Sequence, residues 1–296
     1  MAGQSPYVFE TYKAVANADR AAELAATTSP FQIDVRFLGG LTNSQKNVFK
    51  KAADRWAHVI VGDLETAVIH DITGEVVVDD LLIDAEGVPM DGVNHNPNTL
   101  GSAGPTQFRS EDAASGAGLP VKGHMRFDSA DLAQMEEEGM LLDVITHEMG
   151  HVLGIGTVWT DFGFLKDFPG SNPTFVGPGA MTEFGKLIGN APTAVPVANV
   201  GGIGSAGGHW RESVFANELM SPTIGGRPGT PLNDNPMSRL TVASLGDLGY
   251  TVDLEAAQDF ELPDLLAIAR SDRVPSPEPR YVVLPTIPTR IPAERP

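Results

Sequence analysis

The segment LLDVITHEMGHVL, residues 141–153, constrains the fold more than any other stretch of the chain. Its apolar residues surround His147, Glu148 and His151, a pattern typical of a helix buried in a core. Positions i and i+4 of a helix differ by about 40° around its axis, so the two histidines project from one face and can chelate one ion. Glu148 lies beside that face, where its carboxylate could act as general base on a water. We therefore predict a fold built around a buried helix that bears a metal site.

Composition limits both the ligands of such a site and the partners of the chain. The 296 residues include no cysteine, so any metal must bind His, Asp or Glu, and no disulfide framework exists. Thirty-eight acidic residues against 20 basic ones give a formal net charge of -18, which argues against nucleic acid as a partner.

No apolar run is long enough for a membrane span, and no N-terminal signal is evident. We expect secretion, by a route without an N-terminal signal or after its removal, rather than a cytoplasmic location. The sequence sets no oligomeric state.

Hydrophobic periodicity predicts alternating strands and helices. Residues 31–37 alternate as a half-buried strand does, and residues 42–62 follow helical spacing from cap candidates at Thr42 to Ser44. Further along we predict a strand at 75–84, a long loop at 86–120, a strand at 121–128, and helices at 129–139, 180–189 and 238–249. From Pro263 onward eight of the 23 prolines fall in 34 residues, so 263–296 is predicted to be an extended or disordered tail. Residues 1–30 are predicted to be an N-terminal arm or a pro-segment.

The third metal ligand does not follow from local spacing, because Thr157 stands three residues past Gly154. Glycine at 154 lets the chain leave the helix, so that another segment can approach the metal. The best context is that of His209, which follows the flexible run GGIGSAGG and precedes Met220 by eleven residues. The other candidates are His58, His70, His95, His124, Glu183, Glu212 and Glu218.

A family resemblance rests on these residues. The pattern His147-Glu148-x-x-His151-x-x-Gly154, with a delayed His209 and then Met220, resembles the metzincin zinc proteases and specifically the leishmanolysin family. The segments GGHWRE, NELM and SRLTVASLGDLGY are similar to the C-terminal half of that family. In leishmanolysins an insertion separates the glycine from the third histidine, which accounts for Thr157. The likeness extends over residues 31–253.

The resemblance implies an α+β metalloprotease domain over residues 31–262. Its upper part, 31–154, would hold a twisted mixed sheet and two long helices, and its lower part, 155–262, would be a less regular subdomain. It implies a single catalytic Zn2+ on His147, His151 and His209, with Glu148 as general base and a protein or peptide as substrate. It also implies that Met220 forms an apolar floor beneath the zinc, and that strand 121–127 is the sheet edge to which the peptide adds as a strand.

The sequence departs from related metzincins at Pro222 and from the leishmanolysins in its lack of cysteine. Pro222 stands where astacin-like and serralysin-like metzincins carry tyrosine, so no tyrosine ligand is expected. Without cysteine, neither the disulfides of leishmanolysins nor cysteine-based latency applies.

Two functions other than an endopeptidase stay open. One is a zinc-containing binding or surface protein with a vestigial site, and the other is a zinc amidase that acts on a non-peptide amide. Calcium in VVVDDLLIDAEG is conceivable but unsupported, because the spacing is not that of a recognised calcium loop.

Overall fold

The computed structural model describes residues 8–90, 92, 99–201, 205–224, 234–263 and 282–285. Its α-helices are α1 (Ala18–Ala25), α2 (Asn43–Val59), α3 (Ser129–Glu137), α4 (Leu141–Val152), α5 (Pro178–Leu187), α6 (Glu212–Phe215) and α7 (Arg239–Leu248). Its strands are β1 (Glu10–Val15), β2 (Gln32–Gly39), β3 (Ala67–Asp71), β4 (Gly74–Val78), β5 (Leu81–Val88), β6 (Thr99–Phe108), β7 (Pro120–Asp128), β8 (Leu165–Lys166), β9 (Thr174–Phe175), β10 (Val195–Pro196) and β11 (Val282–Pro285). None of the described helices is both long and apolar enough to cross a membrane.

A six-stranded sheet in the order β1-β2-β5-β7-β6-β11 forms the framework. Strands β2, β5 and β7 run parallel to one another, whereas β1 and β6 are antiparallel to their neighbours β2 and β7. The last strand, β11, pairs in parallel with β6. Helices packed on a mixed sheet confirm the predicted α+β class.

Three expectations about the strands are wrong. Strand β7 is not a sheet edge, since it hydrogen-bonds to β5 on one side and to β6 on the other. The loop predicted at 86–120 contains all of β6, whose sequence TLGSAGPTQF has few residues that favour strands, so pairing with β7 holds it extended. The single strand predicted at 75–84 is two strands, because β4 ends at Val78 and β5 begins at Leu81.

Helices α2 and α4 pack on one face of the sheet and form the main core with it. Helix α2 begins at a capping box in which Thr42 and Gln45 satisfy each other's backbone N–H groups. Its Trp56 is fully buried, and the indole N–H donates to the carbonyl of Thr146 in α4 at 2.9 Å. On the sheet side, a Cβ atom at Gly123 of β7 would lie 2.4 Å from Val152. The glycine thus allows α4 to lie directly on β7.

The opposite face of the sheet carries buried ion pairs beneath the β3–β4 hairpin. Arg36 of β2 pairs with Asp84 of β5 at 2.6 Å and with Asp71 of the hairpin at 2.5 Å. Lys122 of β7 lies 2.7 Å from Asp71 and 3.0 Å from Asp84. Each of these buried charges therefore has a partner of opposite sign, which offsets the cost of desolvation.

The described part of the N-terminal segment belongs to the sheet and its surroundings. Strand β1 pairs with β2 from Glu10 to Val15, and Ala14 is buried. Helix α1 contacts the segment that follows α7, because its Arg20 donates to both carboxylate oxygens of Asp253 at 2.5 and 2.7 Å. Residues 10–25 therefore form one edge of the fold. The start of the catalytic domain at residue 31 stays a prediction.

The region after α4 has little regular structure and is organised around aromatic side chains. Trp159, Phe175, Trp210 and Phe215 are fully buried, and the rings of Trp159 and Trp210 lie 4.6 Å apart. The short strands β8, β9 and β10 form a three-stranded sheet beside them. Helix α7 is capped by Ser238 at its N-terminus and by Gly249 at its C-terminus, close to the predicted bounds of 238–249. Because Trp210 follows His209 directly, this aromatic cluster fixes the segment that carries the histidine.

Candidate metal centre

Three buried histidines converge on one point. The Nε2 atoms of His147 and His151 in α4 lie 3.1 Å apart, and the Nε2 atom of His209 lies 3.1 Å from the first and 3.0 Å from the second. The Nδ1 atoms of these rings lie 2.6, 2.8 and 3.0 Å from the carbonyl oxygens of Leu219, Ile155 and Ser205 respectively. Each Nδ1–H therefore donates to a carbonyl, which leaves an Nε2 lone pair on each ring directed at the other two.

This arrangement could hold a metal ion. Two nitrogens bound at about 2.0–2.1 Å to a tetrahedral zinc are about 3.3 Å apart, close to the observed 3.0–3.1 Å. Burial lowers the pKa of His147 to about 3 and that of His151 to about 4, and it lowers the pKa of His209 well below its usual range. The three rings are thus neutral at pH 7, the form that binds a cation.

The end of α4 directs the chain towards His209. Helix α4 ends at Val152, and Gly154 and Gly156 both have positive φ, 112° and 74°. A Cβ atom at Gly156 would lie 2.0 Å from the carbonyl oxygen of Gly208. The backbone before His209 therefore approaches the turn after α4 more closely than any side chain would permit. The hydroxyl of Thr157 donates to the carbonyl of His151 at 2.8 Å, so Thr157 stabilises the helix end.

Met220 lies against the metal-site helix between its two histidines. The methionine is fully buried, and a Cβ atom at Gly150 would lie 2.8 Å from its sulfur. Gly150, between His147 and His151, thus leaves room for the methionine side chain. Met220 therefore packs against α4 between the two histidines. The apolar floor beneath a zinc ion, which the family resemblance implies for Met220, stays a prediction.

Glu148 has a buried carboxylate beside the histidines. The residue is 3% exposed, and its Oε1 atom lies 4.0 Å from Nε2 of His147. Its Oε2 atom has no hydrogen-bond partner among the described residues. Burial raises the pKa of this carboxyl well above its usual range. A buried oxygen without a protein partner needs one, and a water held at the metal would supply it.

A family model described as leishmanolysin, Peptidase_M8, matches residues 98–262, which is more than half of the chain. The chain belongs to the leishmanolysin family. The matched range contains the three histidines, Glu148 and Met220, and membership implies metallopeptidase activity in a zinc-dependent family. A search of curated proteins finds no match to the chain.

The other histidines do not join the three. His58 and His70 are exposed. His124 hydrogen-bonds to Ser102 at 3.2 Å and follows Gly123, which faces α4, so it points to the opposite face of the sheet. His95 lies outside the described residues.

The candidate glutamates have other contacts. Glu183 pairs with Lys186 and Arg239 at 2.7 and 3.1 Å. Glu212, whose pKa burial raises to about 7, is hydrogen-bonded to Ser221 and Thr223. The carboxylate of Glu218 accepts the backbone N–H of Met220 at 2.7 Å. None of the three belongs to the histidine cluster.

A second group of acids lies at the start of the acidic segment for which calcium is conceivable but unsupported. Carboxylate oxygens of Asp63, Asp79 and Asp80 lie within 4.8 Å of one another. Both oxygens of Asp80 already accept backbone N–H groups, from Leu64 at 2.7 Å and Gln32 at 2.8 Å. Calcium at this place stays unsupported.

The local sequence did not reveal two parts of the centre. One is the pair of glycines Gly150 and Gly156, whose close approaches involve residues far along the chain. The other is the carbonyl of Leu219, which orients His147 but, as a backbone group, has no sequence signature. The glycine in HEMGH and the run GIG after the helix were visible signals, since glycine is favoured where another group approaches closely.

Proposed function

We propose that this chain is a metzincin-type zinc endopeptidase in which His147, His151 and His209 bind one Zn2+ and Glu148 is the general base. The observation that carries the proposal is the convergence of three neutral Nε2 atoms, 3.0–3.1 Å apart. Beside them lies a buried carboxylate oxygen that has no hydrogen-bond partner in the described part of the chain. A site with a purely structural metal would be closed and would need no such carboxylate. The arrangement therefore favours catalysis over a vestigial site.

A zinc ion held by the three histidines would supply Lewis-acid activation of a water and of the scissile carbonyl. The chain's own residues provide the rest of the chemistry. The three Nδ1–H groups, held by backbone carbonyls, keep each Nε2 lone pair available and oriented. A cation held by the three histidines would favour the ionised form of Glu148 against the effect of burial.

Glu148 moves the proton. A carboxylate oxygen of Glu148 accepts a proton from the attacking water while the oxygen of that water forms a bond to the carbonyl carbon of the peptide. The same carboxyl then donates that proton to the leaving nitrogen as the C–N bond breaks. Burial, which raises the pKa of Glu148, makes the protonated form a competent intermediate for this transfer.

Replacing Glu148 tests the assignment of the base. We expect Glu148→Ala to lower kcat for cleavage of a peptide library about 10²–10⁴-fold, because general-base assistance is lost. Zinc content by elemental analysis should stay at one ion per chain. Glu137→Ala, at an exposed position on α3, is the control and should cleave at the wild-type rate. Near wild-type cleavage by Glu148→Ala would contradict the assignment.

Replacing His209 tests the ligand set. We expect His209→Ala to lose zinc on dialysis, since two imidazoles alone bind it weakly. His124→Ala, a partly buried histidine on the other face of the sheet, should retain the metal. Full retention of zinc by His209→Ala would assign the third position to another residue.

Casein zymography with and without a chelator separates the three functions. An endopeptidase clears casein only without the chelator. A chain that binds zinc and clears no casein would be a binding protein, or an amidase if it hydrolyses small non-peptide amides.

A further inference from the structure

The carboxylate of Glu218 is buried in the turn next to the metal centre. Glu218 is fully buried, and no ion pair joins it to a basic side chain in the described parts of the chain. Its Oε1 atom accepts the hydroxyls of Ser238 and Thr241, both at 2.6 Å, and the backbone N–H of Ser238 at 3.1 Å. Its Oε2 atom accepts the N–H of Met220 at 2.7 Å. Four hydrogen bonds thus replace the water that this group loses on burial.

One of these bonds leads directly to His147. Because Oε2 holds the N–H of Met220, it fixes the peptide group between Leu219 and Met220. The carbonyl of Leu219, the residue of that peptide, accepts the Nδ1–H of His147 at 2.6 Å. A peptide group is planar, so its N–H and C=O move together. Displacing the N–H of Met220 would therefore displace the acceptor that orients His147.

The other bonds lead to the segment of His209. Thr241, which donates to Oε1 of Glu218, accepts the indole N–H of Trp210 at 2.8 Å. The backbone N–H of Trp210 donates to the carbonyl of Met220 at 3.0 Å. Trp210 follows His209 directly. Glu218 therefore links the turn at Met220 and the segment that carries the third histidine through one chain of hydrogen bonds.

We propose that Glu218 is a positioning residue of the metal centre, which orients His147 and His209 through the turn at Leu219 and Met220. This inference rests on the proposed zinc site. A merely structural role would make Glu218 important for stability, whereas positioning also sets how strongly and in what geometry the three histidines bind a metal.

The informative change is Glu218→Gln. Glutamine has the same shape, but its amide nitrogen cannot accept a hydrogen bond. Either the N–H of Met220 or the backbone N–H of Ser238 would then face an amide N–H, and neither of these backbone groups can accept a hydrogen bond. The turn must shift to separate the two donors, and the carbonyl of Leu219 shifts with it.

Metal affinity and a spectroscopic readout test the proposal. We expect Glu218→Gln to bind Zn2+ about 10–100-fold more weakly in competition with a chromogenic chelator, as is usual when groups that orient metal ligands are removed. The visible absorption bands of the Co2+-substituted protein should change in position or intensity. Both measurements are independent of peptide cleavage.

Glu183→Gln is the matched control. Glu183 is also a buried carboxylate that contacts the start of α7, through Arg239, but it has no hydrogen bond to the turn at Met220. This variant should keep wild-type zinc affinity and the wild-type Co2+ spectrum. Near-UV circular dichroism verifies that each variant is folded.

Three outcomes decide the matter. A folded Glu218→Gln with wild-type affinity and Co2+ bands would overturn the inference and leave the proposed function intact. A wild-type chain that binds no zinc would overturn the proposed function and the inference with it. If Glu218→Gln does not fold, Ser238→Ala removes one hydroxyl donor and keeps the carboxylate, and it should show the same changes at smaller size. Wild-type behaviour of that variant would then overturn the inference.

Discussion

The three buried histidines make the stability of the metal-free protein depend on pH. His147, His151 and His209 are 5–8% exposed, and burial is the main cause of their lowered pKa values. In the unfolded chain these residues titrate near 6.5, whereas in the folded metal-free protein they stay neutral to much lower pH. Below pH 6.5 these three residues therefore bind more protons in the unfolded state than in the folded state, and this difference destabilises the fold as pH falls.

We expect the three histidines to contribute a decline in the Tm of the zinc-free protein as pH drops from about 6.5 to about 4. The buried carboxyls of Glu148 and Glu212, whose pKa values are raised, contribute in the opposite direction. Thermal melts in excess chelator across this range measure the effect. His147→Gln removes one titrating group and should make the decline shallower. His70→Gln, at an exposed position, should leave it unchanged. An identical decline in His147→Gln and wild type would show that the buried histidines are not its source.

At the level of elements, the helices were more predictable than the strands. Helices α2, α4 and α7 each have an apolar face and, in α2 and α7, a capping side chain, and these are local signals. Strand β6 has neither, and a Cβ atom at its Gly101 would lie 2.1 Å from the carbonyl oxygen of Arg126 in β7. Its glycine thus allows close pairing in a segment that reads as a loop.

The turn after α4 is the element on which the return of His209 depends. We expect Gly156→Ala to lower the free energy of unfolding by more than about 2 kcal/mol, because it combines positive φ with a clash against the backbone of Gly208. Zinc affinity should fall as well, since Gly208 precedes His209. Urea denaturation and chelator competition measure the two effects.

Gly163→Ala separates the two causes. Gly163 has nearly the same φ, 73°, but an added Cβ atom there meets nothing within 4 Å. It should cost only about 1–2 kcal/mol and leave zinc affinity unchanged. Equal losses in both variants would mean that the approach of Gly156 to Gly208 is unimportant.

On the scale of the whole molecule, the described N-terminal segment is integrated into the fold. Strand β1 covers the edge of β2, and Ala14, Ala16 and Ala21 are buried. Arg20 joins α1 to Asp253, which follows α7. These contacts favour a structural arm over a removable pro-segment.

We expect deletion of residues 1–30 to lower the Tm and not to activate peptide cleavage. The deletion exposes the β2 edge, removes buried alanines and leaves Asp253 without its arginine partner. Differential scanning calorimetry and cleavage rates per folded molecule measure the outcome. A deleted chain that keeps the wild-type Tm and cleaves faster would instead support an inhibitory pro-segment.

The sequence by itself determined the part of the centre that depends on local geometry. Helical periodicity places His147 and His151 on one face and Glu148 beside it, and the absence of cysteine limits the ligands to His, Asp and Glu. Only the tertiary structure decided which distant residue completes the cluster, because His209 is 58 positions from His151 and competes with other histidines and glutamates. The carbonyl of Leu219, the close approach of Gly156 to Gly208 and the carboxylate of Glu218 were likewise decided there. Each depends on contacts between segments far apart in the chain, for which no local pattern exists.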